Sequence, residues 1–304
     1  MARVIRGKHE FLEYLVCSLL SGGHVLLEDL PGLGKTTVAK AMARLISGSD
    51  TSLKGKAAGF QRIQFTPDLL PYDITGVEIF NPETRKFKFN PGPVFSQILL
   101  ADEINRAGPK VQSALLEVMA EHQVTVGNKT HKMDELFFVM ATQNPLEIEG
   151  TYLLPAAQVD RFLMCLSLGY PDNQAEMEIL LANPSETELP NLKPVSTRRD
   201  ILVAREFTAS VHCDEKLLSA VVFAADGSRN HKSVALGISP RGTLHLVRSA
   251  RTLAVIRGRD YVIDQDLLDL AGPVWGHRLR LKENRRDGIK IPRQLLMDGL
   301  ERAK

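Results

Sequence analysis

Cysteine is scarce in this sequence, and its three cysteines form no recognisable framework. They are Cys17, Cys165 and Cys213, far apart in a chain of 304 residues. No pair of them has the spacing of zinc ligands, and an odd number argues against a complete disulfide scaffold. We expect each thiol to act as a small buried hydrophobe in a reducing compartment.

Long apolar runs are also missing. The longest stretches, such as Leu136–Ala141, fall far short of the roughly 20 residues needed to cross a bilayer. The N-terminal residues show no charged segment followed by an apolar one, so no secretory leader is predicted. From these absences we expect a soluble, cytoplasmic protein without a membrane span.

The chain has no excess of either charge and few aromatic residues. Lys and Arg number 38 against 36 Asp and Glu, a formal net charge of +2, and aromatic residues make up 6%. This balance excludes only a strongly basic nucleic-acid binder. The hydrophobic share of 44% is ordinary for a globular protein with a real core.

The first half of the chain alternates short apolar runs with stretches of helical spacing, as in Val38–Ile46 and Val111–His122. Such alternation predicts βαβ units and a mainly parallel sheet. Two pairs of shorter runs flank turn residues and predict β-hairpins at Glu78–Phe89 and Val124–Lys132. The predicted strands of the sheet are Val25–Leu27, Arg62–Phe65, Ile98–Ala101, Phe137–Ala141 and Phe162–Leu168.

After Tyr170-Pro171 the pattern becomes helical, beginning with a linker-like stretch punctuated by prolines. We therefore predict an α/β domain over residues 1–171 and a small all-α domain over residues 172–304. The linker prolines are Pro184, Pro190 and Pro194.

Three helices of the second half have recognisable boundaries in the sequence. Asp214 is expected to cap a helix that stops near Gly227. Ser239 followed by proline predicts the start of a helix that ends near Gly258. Asp264 is expected to cap a last long helix.

The segment Asp29–Thr36, Asp-Leu-Pro-Gly-Leu-Gly-Lys-Thr, lies between a predicted strand and a predicted helix, as a phosphate-binding loop requires. Its glycines let backbone amides curl around phosphate oxygens. Lys35 would reach the β- and γ-phosphates, and the Thr36 hydroxyl would bind Mg²⁺. Only Asp29 departs from the usual motif, which has glycine there. The alternative is an ordinary Gly-Pro turn with a surface lysine.

An acidic pair, Asp102 and Glu103, ends the apolar run that begins at Ile98. The carboxyl ends of parallel strands face the ligand crevice, so both carboxylates are expected near the phosphates. Asp102 would hold Mg²⁺ together with Thr36, and Glu103 would orient and deprotonate the attacking water. A solvated strand end is the alternative, but the preceding phosphate loop favours the catalytic interpretation.

Three further side chains occupy positions of interest. Asn144 follows a predicted strand and could hydrogen-bond the γ-phosphate or the water; the alternative is a turn residue before proline, which is common. Arg161 precedes the fifth predicted strand, and Arg241 lies in the first turn of the Ser239-capped helix. For any lone arginine a surface salt bridge is the simpler explanation.

Taken together and in this order, the motifs resemble those of MoxR-type AAA+ ATPases. The two hairpins match insertions of that clade. Short segments of the sequence also resemble those of MoxR proteins, namely Asp102-Glu103-Ile104-Asn105-Arg106 and His277-Arg278. Asp29 in place of glycine is usual there. The similarity runs from about Val4 to His277. It implies an AAA+ P-loop core, with a parallel five-stranded sheet, flanking helices and two hairpin insertions, followed by a helical lid.

The resemblance implies roles for single residues. Asn144 would be sensor 1, Arg161 the arginine finger and Arg241 sensor 2. Catalysis would involve Lys35, Glu103 and these three residues, with ATP and Mg²⁺ as ligands. The residues expected to bind the nucleotide are Val4, Ile5, Asp29, Pro31, Gly32, Leu33, Gly34, Lys35, Thr36, Thr37 and Arg241.

The resemblance also implies assembly and partners. Family members form rings, usually hexamers, in which Arg161 would reach the ATP of a neighbouring subunit. They act as chaperone-like maturation factors, often with a protein containing a von Willebrand factor A domain. A motor that translocates or remodels nucleic acid is the alternative, but no basic stripe with interleaved aromatics supports it. A nucleotide-dependent scaffold is a third possibility.

Overall fold

The structure is a computed structural model that describes residues 1–47, 59–145, 150–282 and 290–303. Contacts between residues divide the chain into two compact units, and each unit is made of three separate segments of sequence. One contains residues 1–12, 26–154 and 167–202, and the other contains residues 13–25, 155–166 and 203–304. The domain boundary expected near residue 171 stays a prediction.

The strands are short, and five of them form the central sheet. In chain order the strands are β1 (Val25–Glu28), β2 (Ile46–Ser47), β3 (Phe60–Gln64), β4 (Gly76–Asn81), β5 (Lys86–Pro91), β6 (Ile98–Asp102), β7 (Gln123–Val126), β8 (Lys129–Lys132), β9 (Phe138–Gln143), β10 (Met164–Leu166), β11 (Ser196–Thr197), β12 (Val234–Leu236) and β13 (Arg280–Leu281). The central sheet has the order β10-β1-β9-β6-β3, and β6 pairs in parallel with both β3 and β9. The predicted five-stranded sheet is confirmed.

Helices account for most of the remaining regular structure. They are α1 (His9–Leu20), α2 (Lys35–Leu45), α3 (Pro71–Thr75), α4 (Pro109–Glu121), α5 (Ala156–Val159), α6 (Asn173–Ala182), α7 (Pro184–Thr187), α8 (Arg198–Ser210), α9 (Glu215–Asn230), α10 (Pro240–Ile256), α11 (Asp264–Leu270) and α12 (Lys290–Ala303). Ile104–Arg106 and Leu189–Asn191 are 3₁₀ turns, and Ala271–Trp275 is π-helical. Within the ranges the structure describes, every helix is too short or too polar to cross a bilayer.

The burial of β6 explains where its charges lie. Ile98, Leu99, Leu100 and Ala101 are fully buried between neighbouring strands and α2, whereas Asp102 at the strand end is only partly buried. A carboxylate inside this run would lose its hydration without compensation. The strand therefore carries its acidic side chains where the packed sheet ends.

Both predicted hairpins are confirmed as antiparallel pairs, β4 with β5 and β7 with β8. The first hairpin exposes large apolar side chains, including Ile79, Phe80 and Phe87, with the two phenylalanine rings 5.3 Å apart. The second hairpin contacts the first, because His131 stacks on Phe89 with ring centroids 3.9 Å apart. The two insertions therefore share an aromatic contact.

The helix starts predicted in the second half are confirmed for α9 and α10. Asp214 accepts a hydrogen bond from the Lys216 amide at 2.8 Å, and Ser239 accepts one from the Gly242 amide at 3.1 Å. The predicted end near Gly227 is wrong, since α9 continues to Asn230. Packing of α12 against this side of α9 offsets the low helix propensity of glycine.

The prediction that Asp264 caps a last long helix is wrong. Helix α11 begins at Asp264, but its N-terminal amide, that of Ile263, is capped by Asp266 at 3.0 Å. The helix ends after seven residues, and a π-helical segment containing Pro273 follows. Proline lacks the N–H that an α-helix needs at this place. Helix α12 comes later in the chain.

Two smaller expectations also need correction. The proline-punctuated stretch contains α7 and a 3₁₀ turn, because proline is well accommodated in the first turn of a helix. Cys17 and Cys213 are buried as expected, but Cys165 is only partly buried. Burial raises the pKa of the Cys17 thiol to about 12 and also raises the pKa of Cys213.

Candidate functional site

The loop between β1 and α2 has the conformation of a phosphate cradle. Gly32 and Gly34 have φ angles of 84° and 90°, in the left-handed region that favours glycine. An added Cβ would meet nothing within 4 Å at either position, so the glycines keep an open space in front of the loop. Helix α2 begins at Lys35, and its first amides and its dipole favour an anion in that space.

Lys35 lies against its own loop. Its ammonium donates hydrogen bonds to the carbonyl oxygens of Asp29 and Leu30, each at 3.0 Å. The side chain is therefore already folded back along the loop, where a phosphate would meet its positive charge. The glycine cradle, the helix N-terminus and this lysine together fit a nucleotide phosphate.

Asp29 has a different role from the other loop residues. Its buried carboxylate accepts hydrogen bonds from the Ser167 hydroxyl at 2.8 Å, the Leu168 amide at 2.7 Å and the Gly169 amide at 3.0 Å. These bonds fasten the base of the loop to the segment after β10. The side chain thus anchors the loop, and its contact with nucleotide stays a prediction.

Asp102 ends β6 and has two protein partners. Its Oδ1 accepts a hydrogen bond from the Thr142 hydroxyl at 2.7 Å, and its Oδ2 pairs with Arg62 at 2.7 Å. The same Thr142 hydroxyl accepts a hydrogen bond from the Glu103 amide at 2.8 Å. One threonine on β9 therefore sets the positions of both members of the acidic pair.

Glu103 has an unusual backbone. Its φ of 56° lies in the left-handed region, which is uncommon for residues other than glycine. One carboxylate oxygen, Oε2, accepts hydrogen bonds from Gln64 at 2.7 Å and from Arg106 at 3.0 Å. Strained conformations of this kind occur at functional sites, where the surrounding structure holds them in place.

One cleft of about 270 Å³ brings the loop and the acidic pair together. Metal ligands predicted from the sequence, Thr36 and Asp102, both line it, and so does Asn144. Its lining residues are Pro31, Gly32, Gly34, Lys35, Thr36, Arg62, Gln64, Asp102, Glu103, Thr142 and Asn144. Six residues expected to bind nucleotide lie outside this lining, and their roles toward nucleotide stay predictions; they are Val4, Ile5, Asp29, Leu33, Thr37 and Arg241.

Three lining residues were missed by sequence reasoning: Arg62, Gln64 and Thr142. Arg62 and Gln64 are two positions apart on β3, so they share one face of that strand. The alternation of polar residues along β3 was visible in the sequence. The position of β3 beside β6 was not, because it depends on the order of the strands in the sheet. Without the strand order, no spacing rule connects residues 62 and 64 to residues 102 and 103.

Arg161 and Arg241 belong to the second compact unit, and their roles toward nucleotide stay predictions. Arg241 is half-exposed, with Nη1 at 3.6 Å from the carboxylate of Asp160. Arg161 is partly buried in the turn that follows α5.

Comparison with known proteins agrees with this architecture. Residues 24–164 match the model of the ATPase family associated with various cellular activities (AAA). Residues 226–296 match the model of the AAA lid domain. The fold, the cleft and these matches define an ATPase of the AAA class with a lid.

Similar proteins identify the family within this class of ATPases. Uncharacterised YeaC of Bacillus subtilis (strain 168) is 44% identical, over 95% of this chain and 87% of its own. Chaperone MoxR1 of Mycobacterium tuberculosis is also 44% identical, over 92% of this chain and 73% of its own. The crystal structure of a candidate ATPase from Cytophaga hutchinsonii superposes with a TM-score of 0.85 at 36% identity, over 99% and 91% of the two chains. The chain belongs to the MoxR family of AAA+ ATPases.

Proposed function

We propose that this chain is a ring-forming, Mg²⁺-dependent ATPase of the cytoplasm that remodels or matures partner protein complexes. The observation that carries the proposal is the single cleft in which Lys35, Thr36, Asp102 and Glu103 meet. These residue types supply what phosphoryl transfer to water requires, namely a phosphate cradle, metal ligands and a base. The chaperone name of the mycobacterial relative supports a protein as the partner.

The cleft residues that were predicted from the sequence each have a task in this proposal. Lys35 and the α2 amides bind the phosphates, while Thr36 and Asp102 hold Mg²⁺. When bound, Mg²⁺ neutralises charge that develops on the phosphate oxygens. Glu103 orients the attacking water and accepts its proton. Asn144 lines the same cleft, which supports a role for it at the γ-phosphate or this water.

The ring supplies the remaining charge. In this proposal Arg161 acts on the ATP of the neighbouring subunit, and Arg241 reports the γ-phosphate to the lid. An arginine donated across an interface can be worth about 10³–10⁵ in rate. We therefore expect hydrolysis to depend on assembly, with a hexamer as the expected ring.

The first hairpin supports a protein partner over a nucleic acid. Its exposed side chains Ile79, Phe80 and Phe87 are apolar, which suits a protein surface. On the second hairpin, His131 is engaged with Phe89 and is not presented to phosphates. A von Willebrand factor A domain protein is the partner that the family resemblance suggests.

The direct test of the proposed function is ATP turnover with single-residue variants. Glu103→Gln keeps the size and hydrogen-bonding capacity of the side chain but cannot accept the proton, so turnover should fall by about 10²–10⁴-fold while ATP still binds. Glu121→Gln, at the exposed end of α4, is the matched control and should turn over like the wild type. Equal turnover in Glu103→Gln and wild type would remove Glu103 from its role.

Two further measurements test assembly and partners. Turnover per subunit should rise with protein concentration, because each site is completed by a neighbour. A pull-down with Glu103→Gln in ATP should retain partners that the wild type releases. Turnover that is independent of concentration, in a protein that stays monomeric, would contradict the ring.

A further inference from the structure

Asp160, the residue before Arg161, is held from three directions within the second unit. The Ser239 hydroxyl donates to its two carboxylate oxygens at 3.0 and 3.1 Å. Arg278 donates from Nε at 2.9 Å, and Arg241 approaches to 3.6 Å. The turn that carries Arg161 is therefore fastened to the N-terminus of α10 and to the segment that follows the π-helix.

Arg278 also holds the backbone on both sides of Arg161. Its guanidinium, which is 5% exposed, donates to the carbonyl oxygens of Asp160 at 3.0 Å and Leu163 at 3.2 Å, and to that of Phe162. A guanidinium has five N–H donors in a rigid fork, so it can fix several carbonyl groups in one geometry. A lysine could not reproduce this set.

Arg278 is a buried cation with two histidine rings against its guanidinium. His245 and His277 lie at 2.6 and 2.7 Å from its nitrogens, and the pKa of each is lowered by burial and by the arginine charge. Asp160 is the carboxylate that balances the buried cation. Apolar packing would hold a turn at lower cost than a buried ion pair. The Asp160–Arg278 pair instead fixes the orientation of the turn through directional hydrogen bonds.

Arg161 contrasts with its fixed neighbours. Phe162 is fully buried, and Asp160 is bound as described above. Over the described residues, the ion pairs of this turn involve Asp160 and none involves Arg161. Its backbone is constrained by the bonds to its neighbours, while its guanidinium is not held by an ion pair within the described residues.

We propose that Asp160 and Arg278 are positioning residues for Arg161, which fix the arginine-bearing turn on the N-terminus of α10. This inference rests on the proposed role of Arg161 at the ATP of a neighbouring subunit. Arg241 approaches the same carboxylate only to 3.6 Å, so the closer bonds from Arg278 and Ser239 are the ones that fix the turn. Loss of Asp160 should therefore damage the site of the next subunit in the ring.

The test is subunit mixing with full-length protein. Asp160→Asn removes the charge that balances Arg278, and we expect turnover to fall at least tenfold with the KM for ATP changed less than threefold. Glu103→Gln subunits have a dead site of their own but an intact Arg161. An equimolar mixture should recover about a quarter of the wild-type rate, because one interface in four of a random ring pairs an intact site with an intact arginine.

An Arg161→Ala and Glu103→Gln mixture is the reference experiment. If it recovers activity and the Asp160→Asn mixture does not, Asp160 acts on its own subunit and the inference is overturned while the proposed ring mechanism stands. If neither mixture recovers, the trans role of Arg161 fails, and the inference fails with it. Recovery in both mixtures supports the inference.

A second variant covers the case in which Asp160→Asn does not fold. Ser239→Ala leaves the Asp160–Arg278 pair in place and removes the tie to α10 together with the cap that the Ser239 hydroxyl gives the Gly242 amide. It should lose activity about 2- to 10-fold and recover in the same mixture. Unchanged turnover in Ser239→Ala, or a loss that mixing does not relieve, would contradict the fastening of this turn to α10.

Discussion

Arg62 donates from both Nε and Nη2 to a single oxygen of Asp102, at 3.1 and 2.7 Å. Asp102 is the carboxylate expected to hold Mg²⁺, and its other oxygen is engaged by Thr142. A cation supplied by the protein thus shares the carboxylate that a divalent cation needs. The Arg62 side chain is 46% exposed, so the pair is worth about 0.2–1 kcal/mol in water.

Removal of this competing cation should strengthen metal binding. In Arg62→Ala, the Mg²⁺ concentration for half-maximal ATP turnover should fall about 1.5- to 5-fold, the equivalent of the pair's free energy. Arg85→Ala, at an exposed arginine of the first hairpin turn, is the control and should leave the Mg²⁺ requirement unchanged. A higher Mg²⁺ requirement in Arg62→Ala would show that the arginine assists the metal instead of competing with it.

Asp29 should matter more for the stability of the loop than a surface acid would. Asp29→Asn replaces one acceptor oxygen by a donor, which faces either the Leu168 amide or the Gly169 amide together with the Ser167 hydroxyl. We expect the free energy of unfolding to fall by about 1–3 kcal/mol, because buried donors are left unpaired. Ser167→Ala, which loses one bond and leaves the two amides satisfied, should cost about 1 kcal/mol.

Urea denaturation of the two variants decides this point, with ATP affinity as the second measurement. Asp29→Asn should lose more than Ser167→Ala both in the free energy of unfolding and in ATP affinity. Equal unfolding free energies for wild type and Asp29→Asn would mean that the carboxylate does not anchor the loop.

The phosphate loop shows what local sequence can predict. Strand, glycine loop, lysine and helix are contiguous, so the phosphate-binding conformation of residues 30–36 could be predicted from neighbouring residues. The acidic pair was predictable for a related reason, since charged side chains cannot continue the buried strand β6. Roles that depend on one segment of chain were therefore visible before the structure.

Roles that depend on distant segments were not visible. Arg62 reaches Asp102 because β3 lies beside β6, and the anchoring bonds of Asp29 were not predicted because its partners lie about 140 residues away. The end of α9 was misjudged because packing by α12 keeps Gly227 helical. In each case a tertiary contact overrode or completed the local signal.

Stability should decrease in mild acid through His245. Burial, together with the nearby charges of Arg278, Arg248, Arg241 and His24, lowers the pKa of this ring to about 3. In the unfolded chain the ring titrates near 6.5, so below that pH the unfolded state binds the proton and the folded state does not. The stabilisation is fully present above about pH 6.5 and is lost as the pH falls from there toward 3.

The measurement is the free energy of unfolding at pH 7 and pH 5. His245 alone should account for a loss of about 2 kcal/mol between these values. His245→Gln keeps a hydrogen-bond acceptor near Arg278 but does not titrate, so its stability should depend less on pH by about that amount. Parallel pH profiles for the two proteins would contradict the neutral, buried state of this ring.

The proposed activity requires a nucleotide bound at the mouth of β1 and β6, and equilibrium ATP binding in the presence of Mg²⁺ tests this requirement most directly. Lys35→Ala should weaken binding about 10- to 100-fold, since a charged hydrogen bond contributes about 1.5–3 kcal/mol. Lys40→Ala, at an exposed lysine of the same helix, should bind as the wild type does. Equal ATP affinity in wild type and Lys35→Ala would contradict the assignment of this cleft.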